Sequence, residues 1–267
     1  MHSSAEAIWQ QVMALGLPSL ASFSVEILPE IDSTNTELMR RARAGRTEPT
    51  LLVAEQQTAG RGRMGRSWQS SPGDSLTFSL GLSLSPASWE GLSLAVGTSV
   101  AQSLSSLHHE MGSEAIQLKW PNDLWWQGRK LAGILIETAA PTVADARERF
   151  AVIGIGINIK ARQIDANWVT QPAWLQEINP ASSPQTALER LFAPLLAELL
   201  EFERVGFSAF SSRFAARDGL KGRHVALSDG SQGLAKGVDN TGALLVHTSL
   251  GLQRVASQEV SVRPQST

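Results

Sequence analysis

The chain of 267 residues contains no cysteine. A disulfide framework, a thiolate zinc site and a cysteine nucleophile are therefore excluded, and a reducing compartment fits. Long apolar runs are also missing. Nowhere do 18 apolar residues stand together, which argues against a membrane-spanning helix. The opening residues MHSSAEAIWQQVMALGLPSL lack a basic stretch followed by an unbroken apolar one, so no secretory signal is expected. Charge of one sign is scarce too. The 23 Lys and Arg against 25 Asp and Glu leave a net charge of -2, with no positive field to draw the chain onto nucleic acid or anionic lipid. A cytoplasmic protein with neither DNA nor membrane as partner is the expectation. What is present is ordinary globular composition, 42% apolar and 18% charged, with enough chain for one large domain and one small.

The patterning predicts a helix over 5–15, with Ile8, Val12 and Leu15 close to one face. A strand over 25–31 follows. The polar cluster Asp32-Ser33-Thr34-Asn35 can cap a helix over 36–44, which Gly45 ends. Strands are predicted over 50–55 and 76–84, and a helix over 92–109. Shorter strands over 116–120 and 124–126 turn at Pro121-Asn122-Asp123, then lead into strands over 131–137 and 150–159. Glycines at 154 and 156 interrupt the last of these at alternate positions. Hairpins of this kind imply a mixed, largely antiparallel sheet. The clearest helical spacing covers 187–202. Beyond Gly219, short strands (224–227, 232–238, 244–247, 253–256) alternate with the turn signals Asp229-Gly230 and Asp239-Asn240-Thr241-Gly242, the pattern of a small β-barrel. The expected divisions are a helical extension over 1–24, a main domain over 25–218 and a small barrel over 219–267.

Residues 60–65, GRGRMG, satisfy G-x-G-x-x-G after an apolar strand. A dinucleotide site requires the third glycine to open a helix whose N-terminus holds pyrophosphate. Here the continuation RSWQSSPG is a turn and then a strand, so the mechanism has no helix to use. What the loop offers is backbone free to approach a ligand, with fixed guanidinium forks at Arg61, Arg63 and Arg66, suited to phosphate or carboxylate. A second cluster, Lys119-Trp120-Pro121-Asn122-Asp123, with Lys130 in the next strand, reads either as structural ion pairs of a hairpin or as a phosphate-handling group in which Asp123 holds Mg²⁺. The histidines at 2, 108, 109, 224 and 247 show no ligand spacing, and Trp125 and Trp126 extend a strand, packing its two faces.

In order and spacing, GRGRMGRSW, KWPNDL and RKLAGILIE resemble the bacterial biotin–protein ligases, with Ser33-Thr34-Asn35 and Gly154-Ile155-Gly156-Ile157-Asn158 matching as well. The likeness is dense over 25–158 and looser beyond. It implies an α+β fold like that of class II synthetases, with packed helices and a C-terminal SH3-like barrel. The implied activity is carbon–nitrogen ligation: biotin and ATP give biotinyl-AMP, and biotin then passes to a lysine of a carrier such as the biotin carboxyl carrier domain of acetyl-CoA carboxylase. By the same resemblance Ser33, Thr34, Asn35, Gln57, Gly60, Arg61, Gly62, Arg63, Trp68, Lys130 and Gly133 are expected around biotin. Arg63, Arg66, Lys119, Asn122, Asp123, Lys130, Asn158 and Trp168 are expected around the nucleotide, with Trp174 the alternative stack for adenine. Lys130, Arg63 and Asp123 carry the implied chemistry, with ATP and biotin as substrates and Mg²⁺ at Asp123.

Some relatives carry an N-terminal winged-helix domain and double as repressors. Only 24 residues precede the first predicted strand, so the resemblance is to the short, monofunctional form, expected as a monomer or weak homodimer. Thr58 stands where many relatives have glutamine. The rival readings are a lipoate–protein ligase, whose histidine-containing ligand loop is missing here, and a non-catalytic biotin-sensing regulator.

Overall fold

A computed structural model describes residues 2–105, 115–139, 148–162, 171–256 and 262–264. The first helix, α1 (His2–Met13), buries Ile8 and Val12 and ends before Leu15, which is exposed rather than on the buried face. Strand β1 (Ser24–Ile31) pairs in parallel with β2 (Thr50–Gln57), and α2 (Thr34–Arg43) is the crossover between them. The helix starts two residues earlier than its predicted 36, because the Ser33 side chain accepts from Thr36 N and draws Thr34 and Asn35 into the first turn.

Every later pairing in this sheet is antiparallel. Strands β3 (Ser75–Leu84), β4 (Gln117–Lys119), β5 (Asp123–Trp126), β6 (Arg129–Ala139) and β7 (Arg149–Asn158) complete seven strands in the order β1-β2-β3-β7-β6-β5-β4. Between β3 and β4, α3 (Leu92–Ser105) is buried along nearly its whole length, as an Ala-, Ser- and Leu-rich helix without a charged face must be. The predicted extension to 109 lies outside the described residues.

Strand β7 shows how the alternation of a strand divides the molecule. Ile153, Ile155 and Ile157 point into the main core, shared with α3 and the long helix α5 (Pro184–Val205). On the opposite face, Phe150 and Val152 pack with Leu38, Met39 and Ala42 of α2. Gly154 and Gly156 continue that second face, and there Asn35 and the Trp68 indole lie directly over the backbone.

Two short helices, α4 (Leu175–Ile178) and α6 (Ser211–Ala215), escape the sequence reading; neither is long enough for helical periodicity to emerge. The chain then forms a second sheet from β8 (His224–Leu227), β9 (Gln232–Val238), β10 (Leu244–Thr248), β11 (Gly251–Val255) and β12 (Val262–Pro264), all antiparallel, in the order β11-β10-β9-β8-β12. Among the described residues it does not close into the expected barrel: β11 and β12 stand at opposite ends of the order. No helix among the described residues is long and apolar enough to cross a membrane.

Candidate functional site

The gap left on the α2 face of β7 is the floor of a cavity of about 900 Å³, counting its open mouth. Its size follows from two close approaches. A Cβ on Gly154 would lie 2.0 Å from Asn35 Oδ1, and one on Gly156 would lie 2.3 Å from Trp68 Cε2. Asn35 and the Trp68 indole therefore rest directly on bare backbone. Gly133, the register partner of Gly156 on β6, faces Lys130 Nζ and the edge of the same indole.

Neutral hydrogen-bonding groups occupy the Gly154 end. Gln57 Oε1 accepts from Thr34 N at 2.8 Å and from Thr34 Oγ1 at 3.1 Å. The Ser79 hydroxyl lies 2.7 Å from Thr34 Oγ1 and 2.6 Å from Asn35 Oδ1, and its one proton serves one of them at a time. These groups meet because Ile31 and Gln57 are register partners at the ends of the parallel pair β1 and β2, where α2 begins. Buried polar groups of this kind need such pairing.

The Gly133 end is charged. Lys130 Nζ bridges to Asp123 Oδ1 at 2.8 Å, and Lys119 Nζ stands 3.9 Å from Asp123 Oδ2 and over the Trp125 ring. Lys130 also lies 5.7 Å from the Trp68 ring centre, within cation–π range. Its backbone is fixed from both sides, its N–H donating to Gln171 O and its carbonyl accepting from Ala173 N and from the Asn158 amide. Burial pushes the Arg63 guanidinium below its usual range; the charge of Asp123 opposes that and Arg66 adds to it.

The loop over the cavity folds back on itself. Gly62 N donates to Arg66 O at 2.7 Å, Trp68 N donates to Gly60 O at 2.8 Å, and Arg61 bridges to Ser67. Residues Arg63–Gly65 make one 3-10 turn, with Met64 at φ 55° and Gly65 at φ 71°. The third glycine thus closes a turn and opens no helix, as the sequence context requires.

Of the residues expected at the site, Ser33, Thr34, Asn35, Gln57, Arg61, Gly62, Arg63, Arg66, Trp68, Lys119, Asn122, Asp123, Lys130 and Gly133 line this one cavity. Gly60 lies behind the wall, with no room for a Cβ beside the Trp68 carbonyl. Asn158 is also behind it: its amide donates to Lys130 O at 3.0 Å, so it supports the strand carrying Lys130 and does not line the cavity. Asn122 lines the cavity, yet its amide donates to Ile134 O at 2.8 Å, which holds the turn to β6. Trp168 lies outside the described residues, and Trp174 is buried at the start of α4, away from the cavity wall.

The donor set does not fit a magnesium ion held at Asp123. That carboxylate already faces two ammonium groups, whose charges a magnesium ion at the same oxygens would oppose. Asp123 is the counter-ion of Lys130 and Lys119.

Glu137, which sequence reasoning missed, stands behind the cavity wall and touches two residues that line it, Asn35 and Arg61. It ends the apolar stretch of β6 and pairs with Arg61 at 2.6 Å. The signal available was an acid at the end of an apolar strand, set against a loop carrying three arginines.

Residues 27–158 match the biotin/lipoate A/B protein ligase family. The chain is 38% identical over 254 residues to the bifunctional ligase/repressor BirA of Escherichia coli, covering 92% of this chain and 76% of that protein. The chain belongs to this family. It is also 31% identical over 248 residues to the biotin–[acetyl-CoA-carboxylase] ligase of Paracoccus denitrificans, covering 88% of this chain and 98% of that one. Among solved structures, the biotin protein ligase of Aquifex aeolicus in complex with biotin and ATP superposes with a TM-score of 0.74 at 29% identity, covering 90% of this chain and 99% of that one. Within the family, these neighbours place the chain with the biotin protein ligases.

Proposed function

We propose that the chain is an ATP-dependent biotin–protein ligase whose reaction takes place in the cavity between Gln57 and Lys130. The observation that carries this reading is the gradient along the cavity floor. Neutral donors and acceptors lie beside Gly154, an indole wall over Gly156, and a lysine–aspartate pair beside Gly133. A ligand with a polar ring, an apolar middle and a terminal carboxylate matches that sequence of surfaces, and biotin is such a molecule.

On this reading Ser33, Thr34, Asn35 and Gln57 bind the ureido ring, and Trp68 covers the apolar chain. Lys130 and Arg63 receive the carboxylate and the α-phosphate of ATP. A biotin carboxylate oxygen attacks the α-phosphorus and pyrophosphate leaves, giving biotinyl-AMP. The amine of an acceptor lysine then attacks the acyl carbon, AMP leaves, and the amine gives up a proton to form the amide. No protein nucleophile is required, so the lack of cysteine is no obstacle. The chain's own contribution is positioning and charge neutralisation. Asp123 holds Lys130 aimed before substrate arrives, and any Mg²⁺ enters as the counter-ion of the nucleotide. Arg66 and Lys119 add positive charge at the same end.

The acceptor is a biotin carrier domain of the acetyl-CoA carboxylase type. Residues 25–218 carry the chemistry, with 219–267 as a separate small unit docked on them.

Biotin-dependent exchange of labelled pyrophosphate into ATP tests the reading. Exchange that needs biotin, ignores lipoate and collapses in Lys130→Ala supports it. A chain that binds biotin tightly without exchange would sink it in favour of a sensor.

A further inference from the structure

Strand β3 carries Leu76, Phe78, Leu80, Leu82 and Leu84 on its core face. Its other face presents Ser75, Thr77, Ser79 and Gly81, and these are buried as well. Buried hydroxyls need partners, and these three find different ones. Ser75 bonds to Ser71 O within its own turn, and Thr77 gives its proton to Ala54 O on the neighbouring strand. Of the three, only Ser79 reaches α2. It does so because its register partner is Gly154: with no Cβ on that strand, Asn35 settles onto the sheet beside the hydroxyl.

Donor chemistry fixes both ends of this contact. Asn35 Nδ2 faces two groups that can only accept, Leu135 O and Glu137 Oε2, so Oδ1 is the atom turned to Ser79. Thr34 N can only donate, so the Gln57 atom 2.8 Å from it is the oxygen. Between these two fixed acceptors stand two hydroxyls, Ser79 and Thr34, 2.7 Å apart and with one proton each. Three contacts share two protons, so one contact always goes without. Asn35 Oδ1 is the costly one to leave out, because it is buried with Ser79 as its donor, whereas Gln57 Oε1 still has Thr34 N. The Ser79 proton therefore goes to Asn35, at 2.6 Å. Thr34 then spends its own proton on Ser79 or Gln57, and its oxygen keeps lone pairs for an N–H arriving from the cavity it lines.

We propose that Ser79 is a specificity-determining positioning residue: by committing its proton to Asn35 it makes Thr34 an acceptor, so that this end of the cavity selects a ligand ring that donates N–H. The identity of that ring, the ureido of biotin, rests on the ligase reading. Ser79 does not line the cavity and touches no reacting atom. It acts through Thr34 and Asn35. Without the hydroxyl, Thr34 loses the neighbour that orients it and Asn35 loses its donor.

Steady-state pyrophosphate exchange reads this as a split between constants. In Ser79→Ala the KM for biotin should rise about tenfold, the scale of one neutral hydrogen bond in a buried site. The maximal rate and the KM for ATP should stay within about twofold, because the charged end around Lys130 is untouched. Desthiobiotin, which keeps the ureido ring and lacks the sulfur ring, should lose the same factor as biotin. Thr34→Val removes the hydroxyl through which Ser79 acts, so adding Ser79→Ala to it should leave the KM for biotin where Thr34→Val put it. Ser79→Cys fills the space but donates weakly; it should behave like Ser79→Ala, and it carries the test if the alanine variant does not fold. A thermal melt of each variant separates these effects from unfolding. A wild-type KM for biotin in Ser79→Ala would overturn the proposal, and a loss confined to biotin would place the effect at the sulfur ring and overturn it too. So would full recovery in Ser79→Cys, or an undiminished Ser79→Ala effect in the Thr34→Val background, since the side chain would then only be filling space. The ligase reading survives each of these outcomes. It fails if the wild type shows no biotin-dependent exchange, and the assignment of Ser79 falls with it.

Discussion

The floor of the cavity and the loop above it are both rich in glycine, for opposite reasons. On the floor, Gly154 and Gly156 sit in an ordinary β-strand and are needed for the atom they lack: a side-chain carbon there would collide with Asn35 or Trp68. In the loop, Gly65 has open space around it and is needed for the conformation it adopts, at φ 71°. The floor is a rigid mould braced by ladders on both sides. The loop is held by its own turn hydrogen bonds, the Arg61–Glu137 pair and the Trp68 ring laid on β7. A substitution in the floor should therefore change what the cavity accepts, and one in the loop should change how readily it closes.

The largest effect separating the two should come from Lys130→Ala, whose ammonium projects from β6 beside the floor. Its pyrophosphate exchange should fall about a hundredfold to a thousandfold, the usual loss when one preorganised charge-stabilising donor is removed. Next comes Gly156→Ala. Overpacking against a ring that must lie flat costs about 2–3 kcal/mol, so biotin binding by calorimetry should weaken by about a hundredfold. If biotin affinity in Gly156→Ala matched the wild type, the indole would not be the cavity wall. Asp123→Asn should be milder, with exchange reduced by about tenfold, the scale of one charge-assisted hydrogen bond. Its dependence on Mg²⁺ should match the wild type, whereas a shifted magnesium requirement would restore Asp123 as an ion ligand. Smallest is Gly65→Ala. Forcing a Cβ into the left-handed region costs about 1 kcal/mol, visible in a melt and hardly in exchange at saturating biotin.

Much of this arrangement was legible from residue order. The period of apolar residues places β1, β3, β7, α5 and the strands β8 and β9 close to where they lie, because each element has a strong pattern and definite stops. The gathering of the Ser33, Gln57, Arg61 and Lys130 regions was legible through resemblance, since distant motifs carry no local signal of meeting. What the sequence could not convey were direction and partner. Asn158 follows two glycines at the end of a strand, yet its amide turns to support Lys130. Asp123 reads equally as half of a hairpin ion pair or as a metal ligand until its two lysine neighbours are seen in space. Glu137 looks like the polar end of an apolar strand until the loop folds back onto it. The open second sheet differs from the expected barrel because alternation and turns determine strands and hairpins, whereas closure depends on how the first and last strands meet.

Trp120 carries a consequence of another kind. Its ring is fully buried, and its indole N–H donates across to Gly242 O in the turn before β10. A Cβ on Gly242 would fall 2.8 Å from the Cα of Gly91, at the head of α3. Three positions far apart in the chain thus share one small volume that joins the sheet bearing Lys119 to the second sheet. None of them can drift independently over generations. Bulk gained at 242 would have to be matched by retreat at 91, and loss of the indole would strand a carbonyl at the seam. The two sheets should therefore be inherited as a matched pair, and a second sheet borrowed from a distant relative should seat poorly unless its partners at 91 and 120 travel with it.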